Sequence, residues 1–211
     1  MKVLKLRSIT VKKFNHNGSK KVNDENKENL LAQDFKAKYP REKWVGDITY
    51  IYTKETGWTY LAIVMDLFDL KIIGWAYGKN MTSELVISAF EKAKNERGVT
   101  KGMIFHSDLG SQYTSNEYEK MLLENNVKHS YSKKGYPYDN ASMESFNAIL
   151  KKEEVNVNTY ETFKEAKLAI FEFIESWYNN TRIHSTLDYK TPNEKYNAVS
   201  YTHLRAHETE A

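Results

Sequence analysis

Apolar and polar positions along this chain change period several times, and each change marks an element. Two short runs rich in aromatic and β-branched residues, Trp44 to Thr53 and Trp58 to Met65, flank the turn Lys54-Glu-Thr-Gly57, and a third spans Lys71 to Tyr77. They predict an antiparallel meander of three strands. The period then lengthens. Leu85, Val86, Ala89, Phe90 and Ala93 recur along one face of a 3.6-residue helix that opens at Thr82-Ser-Glu-Leu and ends at Gly98. Met103 to His106 is a short apolar run with the shape of a buried strand. A helix follows from about Ser115 to Asn125, with Tyr118, Met121 and Leu122 inward, and then a short strand near Lys128 to Ser132.

Lys133-Lys-Gly-Tyr-Pro-Tyr-Asp-Asn-Ala141 reads as a loop by its Gly and Pro, and leads into a helix carrying Glu144. On that helix Met143, Phe146 and Leu150 form a stripe for the core, whereas Glu144, Ala148 and Lys151 share another face. The last long helix is expected from about Thr162 to Asn179, with Phe163, Ala166, Ile170, Phe173, Ile174 and Trp177 as its apolar side. Three antiparallel strands, a helix, a strand, a helix, a strand and then helices predict an α/β fold. The expected form is a five-stranded mixed sheet with helices on both faces, the RNase H-like layer order.

Composition narrows the chemistry. The 211 residues suffice for one sizeable core, and no apolar run approaches 18 residues, so neither a membrane span nor a signal peptide is expected and the chain reads as cytoplasmic. Zero cysteines leave oxygen and imidazole as the available metal ligands, an inventory that suits hard cations. The first 43 residues carry +7 and, the total being +3, the remainder carries −4. A basic front on a slightly acidic globule suits contact with a polyanion such as DNA, and equally suits a solvated leader. Residues 1–43 are accordingly expected to be a basic linker and 44–198 the folded core. The stretch 199–211 continues no pattern and is expected to be a foreign or disordered tail, resembling translated sequencing-adapter read-through.

Three acids stand out. Asp108 ends the apolar run at Met103, which would place its carboxylate at the C-terminal edge of a strand, where open α/β sheets put their sites. Glu144 lies 36 positions later at the start of a helix, and Asp47 lies 61 positions earlier within the first strand. Three carboxylates gathered from so far apart can hold a pair of divalent cations.

Four blocks then carry a resemblance: Trp44-Val-Gly-Asp-Ile-Thr-Tyr50; His106-Ser-Asp-Leu-Gly-Ser-Gln-Tyr113; Ser132-Lys-Lys-Gly-Tyr-Pro-Tyr-Asp-Asn-Ala-Ser-Met-Glu-Ser-Phe-Asn147; and Tyr178-Asn-Asn-Thr-Arg-Ile-His-Ser-Thr-Leu-Asp-Tyr-Lys-Thr-Pro192. In this order, with 35 residues between Asp108 and Glu144, they resemble the integrase catalytic core of IS3-family insertion-sequence transposases, over about residues 8 to 198. The resemblance implies an RNase H-like fold and a DDE triad of Asp47, Asp108 and Glu144 holding two Mg²⁺ or Mn²⁺ ions. It implies Lys151 as a basic residue set against DNA, and donor strand cleavage followed by strand transfer of an insertion sequence, by a homo-oligomer acting on element ends and target at the bacterial nucleoid. Gly46 departs from a common Thr, and Leu70 and Leu109 from basic or polar residues, which puts DNA contacts in doubt before chemistry. The helix-turn-helix modules usual ahead of such a core are represented here by only a linker-like remnant. A truncated fragment that merely binds DNA or multimerises is therefore the alternative, and a general nuclease acting on RNA/DNA hybrids a more distant one.

Further candidates keep two readings each. Lys133, Lys134, Arg182 and His184 could contact phosphate, the last two equally well holding the C-terminal segment. His106 could support the metal site or simply pack. Asp66 reads as a strand-end or turn acceptor before a ligand, and Asp139 as a helix N-cap. Gly110 and Gly135 would give backbone freedom near DNA, and Tyr136 and Tyr138 could stack on a splayed base or serve as ordinary loop aromatics.

Overall fold

A computed structural model describes residues 27–132 and 137–198, with backbone alone at 137 and 138. Five strands form one mixed sheet in the order β3-β2-β1-β4-β5. They are β1 (Lys43–Thr53), β2 (Gly57–Asp66), β3 (Ile72–Gly78), β4 (Ile104–Ser107) and β5 (Lys128–Tyr131). The first three make the expected antiparallel meander, with Trp44 opposite Asp66 at one end and Thr53 opposite Gly57 at the turn. β4 and β5 add in parallel. The helices are α1 (Ser83–Arg97), α2 (Asn116–Glu124), α3 (Ala141–Leu150) and α4 (Phe163–Phe171).

Side-chain alternation along β2 sorts the core onto two faces. Leu61, Ile63 and Met65 join Val45 and Ile51 of β1 against Met143, Phe146 and Leu150 of α3 and against Ala166 and Ile170 of α4. Ala62 and Val64 point the other way, with Trp44, toward Leu85, Val86, Ala89 and Phe90 of α1 and Tyr118, Met121 and Leu122 of α2. Helices therefore cover both faces, as the two periodicities predict. The contact of α1 with β3 is so close that a Cβ on Gly74 would lie 2.2 Å from the carbonyl oxygen of Ala89.

Two expectations need correction. Residues 27–43 were expected to be linker, yet much of this stretch packs on the domain. Leu31 is buried in the same cluster as α3, and its backbone N–H bonds Ser130 Oγ at 3.0 Å. Lys43, already in β1, donates to the carboxylate of Asp34 at 2.7 Å. A single well-placed leucine and a few side-chain bonds leave no periodicity to read. Residues 1–26 and 199–211, and with them most of the basic front and the tail, lie outside the described residues. The second correction concerns Trp177. α4 continues as a π-helical stretch, Glu172–Tyr178, in which the wider turn advances the register, so that Tyr178 is buried and Trp177 is 45% exposed.

Asp66 acts as the strand-end acceptor expected of it. It lies wholly buried at the end of β2 and accepts from Arg97 at 2.8 Å, Trp44 Nε1 at 3.1 Å and the backbone N–H of Arg41 and Phe68. Arg97, the last residue of α1, also pairs with buried Asp69 at 2.5 Å. This network ties α1 to the β2–β3 connection. Arg97→Ala would leave two carboxylates buried without their cation, and should lower stability by about 3–5 kcal/mol in urea unfolding.

Candidate active site

The parallel pairing of β1 with β4 lasts only from Lys43–Ile104 to Val45–His106. Two residues beyond that last pair stand Asp47 on one strand and Asp108 on the other, where the strands part. Such a split at the carboxyl end of a parallel strand is where open sheets leave room for a site. Asp47 falls on the face of β1 that α3 covers, and Asn147 of α3 donates to its carboxylate at 2.7 Å. Glu144 stands exposed on the first turn of the same helix, while Met143, Phe146 and Leu150 turn inward as expected.

Asp47 feels both of the other acids. Asp47 is pushed up to about 7, by burial first, then by the charge of Asp108, with Glu144 adding to it; the Ile48 N–H and the Asn147 amide oppose the rise. Asp108 is also raised by desolvation, against a hydrogen bond from the Gly110 N–H at 2.9 Å. Among the described residues no three His, Asp or Glu side chains are already drawn into a metal cage. The carboxylates thus share a field without closing on a common point, as like charges would.

Lys151 follows Asn147 by one helical turn and Glu144 by two. Its ammonium lies 4.5 Å from the centroid of the Tyr50 ring, half-buried. Desolvation lowers its pKa and the charge of Asp47 opposes that shift. At Lys151 the helix widens into a π-helical stretch, Lys151–Val155, a distortion frequent at functional sites.

Two family signatures, each described as an integrase core domain, match residues 37–137 and 125–192. The transposase for insertion sequence element IS904 of Lactococcus lactis is 48% identical over 172 residues, 81% of this chain and 68% of that protein. The transposase InsF for insertion sequence IS3A of Escherichia coli is 42% identical over 158 residues, 75% of this chain and 54% of that protein. The chain belongs to the IS3 family of insertion-sequence transposases. It spans about half the length of the Escherichia coli relative.

Solved structures agree on the fold of this family member. The catalytic core domain of HTLV-2 integrase in complex with magnesium, in a trimeric form, superposes with a TM-score of 0.57 at 22% identity, over 75% of this chain and 98% of that one. A simian T-cell lymphotropic virus intasome, bound to the PP2A regulatory subunit B56 gamma, gives 0.62 at 21% identity, over 76% of this chain and 56% of that one. The sheet and its two helical layers are thus the RNase H-like integrase core. Proteins of this family are polynucleotidyl transferases.

Other sequence candidates in this transposase are placed as follows. His106 is fully buried, bonded by Nδ1 to Ser130 Oγ at 2.9 Å and by Nε2 to Ser132 Oγ at 3.0 Å, with its pKa lowered to about 4 mainly by burial. It packs. Arg182 is paired with Glu153 at 3.2 Å, and His184 is buried edge-on against Tyr178, its pKa lowered to about 4 mainly by burial. Asp139 does not cap α3; its oxygens accept from Asn29 and Gln33, because a 3-10 turn, Pro137–Asn140, precedes the helix. Lys133, Lys134, Gly135 and Tyr136 lie outside the described residues, as does the side chain of Tyr138.

Sequence reading missed Asn147 and Tyr113. Asn147 sits one turn after Glu144 on the working face, a spacing that could have flagged it. The Tyr113 phenol is buried, and its pKa is driven well above the ordinary value, chiefly by burial and in part by Asp47 and Asp108. It ends the second sequence block.

The raised carboxyl has a pH consequence. Asp47 binds its proton more tightly folded, near 7, than at the ordinary 3.8, so its contribution to stability falls as pH rises between those values. In chelator, Asp47→Asn should therefore gain stability relative to the parent on going from pH 4 to pH 8, measured as the difference of urea midpoints.

Proposed function

We propose that this chain is the catalytic core for metal-dependent donor strand cleavage and strand transfer of an insertion sequence, with Asp47, Asp108 and Glu144 as its triad. The observation that carries the reading is the placing of Asp47 and Asp108 side by side where β1 and β4 part, with Asp47 raised by burial first and then by the charges of Asp108 and Glu144. Three crowded carboxylates with hard oxygen donors fit Mg²⁺ or Mn²⁺, since a cation would offset the repulsion that now favours a proton on Asp47. Asp47, Asp108 and Glu144 would hold the ions between them. When bound, such ions supply activation of the attacking oxygen and stabilisation of the leaving oxygen in an in-line displacement at phosphorus.

The protein's own groups supply the remainder. In cleavage a water oxygen attacks phosphorus and the 3′-oxygen departs; in transfer that 3′-hydroxyl attacks a target phosphate and displaces another 3′-oxygen. Asp47 must be unprotonated for either step, and the Asn147 amide favours that form and holds the carboxylate still. Lys151 offers its ammonium to a phosphate from the same helix face. Joining two element ends to one target calls for more than one core, which supports a homo-oligomer on DNA in the cytoplasm at the nucleoid. Among the described residues no helix is long and apolar enough to cross a membrane.

Mn²⁺-dependent cleavage of element-end duplexes should appear with the parent and fall to background in Asp47→Asn and in Glu144→Gln. Metal binding with no cleavage of any end tested would instead favour a fragment that only binds or assembles. Lys151→Ala should weaken DNA binding across sequences and reduce the slope of log affinity against log salt by about 0.9, as read from anisotropy titrations.

A further inference from the structure

Chemistry-bearing side chains outside the triad converge at one place on the route into α3. Asp139 is 2% exposed and lies five residues before Glu144, in the turn that leads into the helix. Side-chain amides from the far end of the chain take both of its oxygens, Asn29 at 2.9 Å and Gln33 at 2.8 Å. The stretch that supplies them is itself tied down. Glu28 accepts at its carbonyl from the Tyr131 N–H at 2.9 Å, beside β5, and Leu31 is buried among the residues that pack with Met143 and Phe146. The next residue, Asn140, reaches the carbonyl of Gly46, the neighbour of Asp47, at 3.4 Å. The approach to α3 is thus tethered to the 29–33 stretch at one residue and to β1 at the next.

We propose that Asn29, Gln33 and Asp139 form a clamp that sets where Glu144 stands relative to Asp47, which makes Asp139 a positioning residue for the acid site. The inference rests on reading Glu144 as the third carboxylate. α3 has no side-chain cap at its first turn, so that end is held by the burial of Met143 and by the residues that lead into the helix. Glu144 is on that turn. A buried carboxylate accepting two amide hydrogen bonds holds its backbone better than a solvated one, because losing them leaves buried acceptor capacity unmet. Ordering of the 29–33 stretch therefore reaches the glutamate through two hydrogen bonds and five residues, without passing through the sheet. Groups that orient a metal ligand commonly control affinity by about 10–100-fold, and Asp139 would act on Glu144 through the backbone between them.

The test is Mn²⁺ affinity of the intact chain by calorimetry, with cleavage of an element-end duplex measured alongside. Asn29→Ala combined with Gln33→Ala should weaken Mn²⁺ by about 10-fold or more and lower kcat while DNA affinity holds. Asp139→Asn keeps the volume but discards the charge, and should do the same. Lys54→Ala removes an exposed pair with Glu161 and should change neither quantity. If the double variant does not fold by circular dichroism, Asp139→Asn alone decides. Variants that fold and bind Mn²⁺ as tightly as the parent overturn the clamp. A parent that neither binds Mn²⁺ nor cleaves overturns the functional reading itself.

Discussion

Burial of the Asp47 carboxylate beside the charges of Asp108 and Glu144 is the constraint on which the rest of the site depends. The sheet brings Asp47 and Asp108 level by pairing β1 with β4 for three residues and then letting the strands diverge. α3 adds Glu144 from above. Among the described residues none of these acids forms a salt bridge, unlike Asp66 and Asp69, which share Arg97, although Asp47 and Lys151 feel each other's charge. Two acidic clusters in one small domain thus have different solutions. One is neutralised by a buried ion pair and serves packing. In the other, burial first and the neighbouring charges second push Asp47 up to about 7.

The helix above that site is fixed to the sheet by apolar contacts and left open on its other side. Met143, Phe146 and Leu150 are buried, Asn147 braces Asp47, and Lys151 extends over Tyr50 where the helix widens. Rigid packing on one stripe lets the opposite stripe carry groups that pay no part in the core. That division leaves Glu144 and Lys151 on the side of the helix that does not pack against the sheet.

Most of this was legible in periodicity. The change from period 2 to period 3.6 separated strands from helices, and the order of those elements predicted a mixed sheet covered on both faces. Asp108 could be placed at a strand end because an apolar run stops there. What escaped were features with no period. Leu31 buries a stretch that reads as polar linker, and Asp139 accepts from partners more than 100 residues away, where local grammar proposed a cap. Trp177 was assigned inward on a regular helix, and a single widened turn put Tyr178 there instead. Each miss is a case of tertiary contact overriding a local rule.

Gly46 shows how such contacts tie one position to another. A Cβ at this position would stand 2.5 Å from the Phe105 ring and 3.2 Å from the Tyr113 hydroxyl. The aromatic floor beneath the first acid fills the volume that any side chain at 46 would use. A larger residue there fits only with a smaller or tilted ring at 105, so the size allowed beside Asp47 is set from the neighbouring strand.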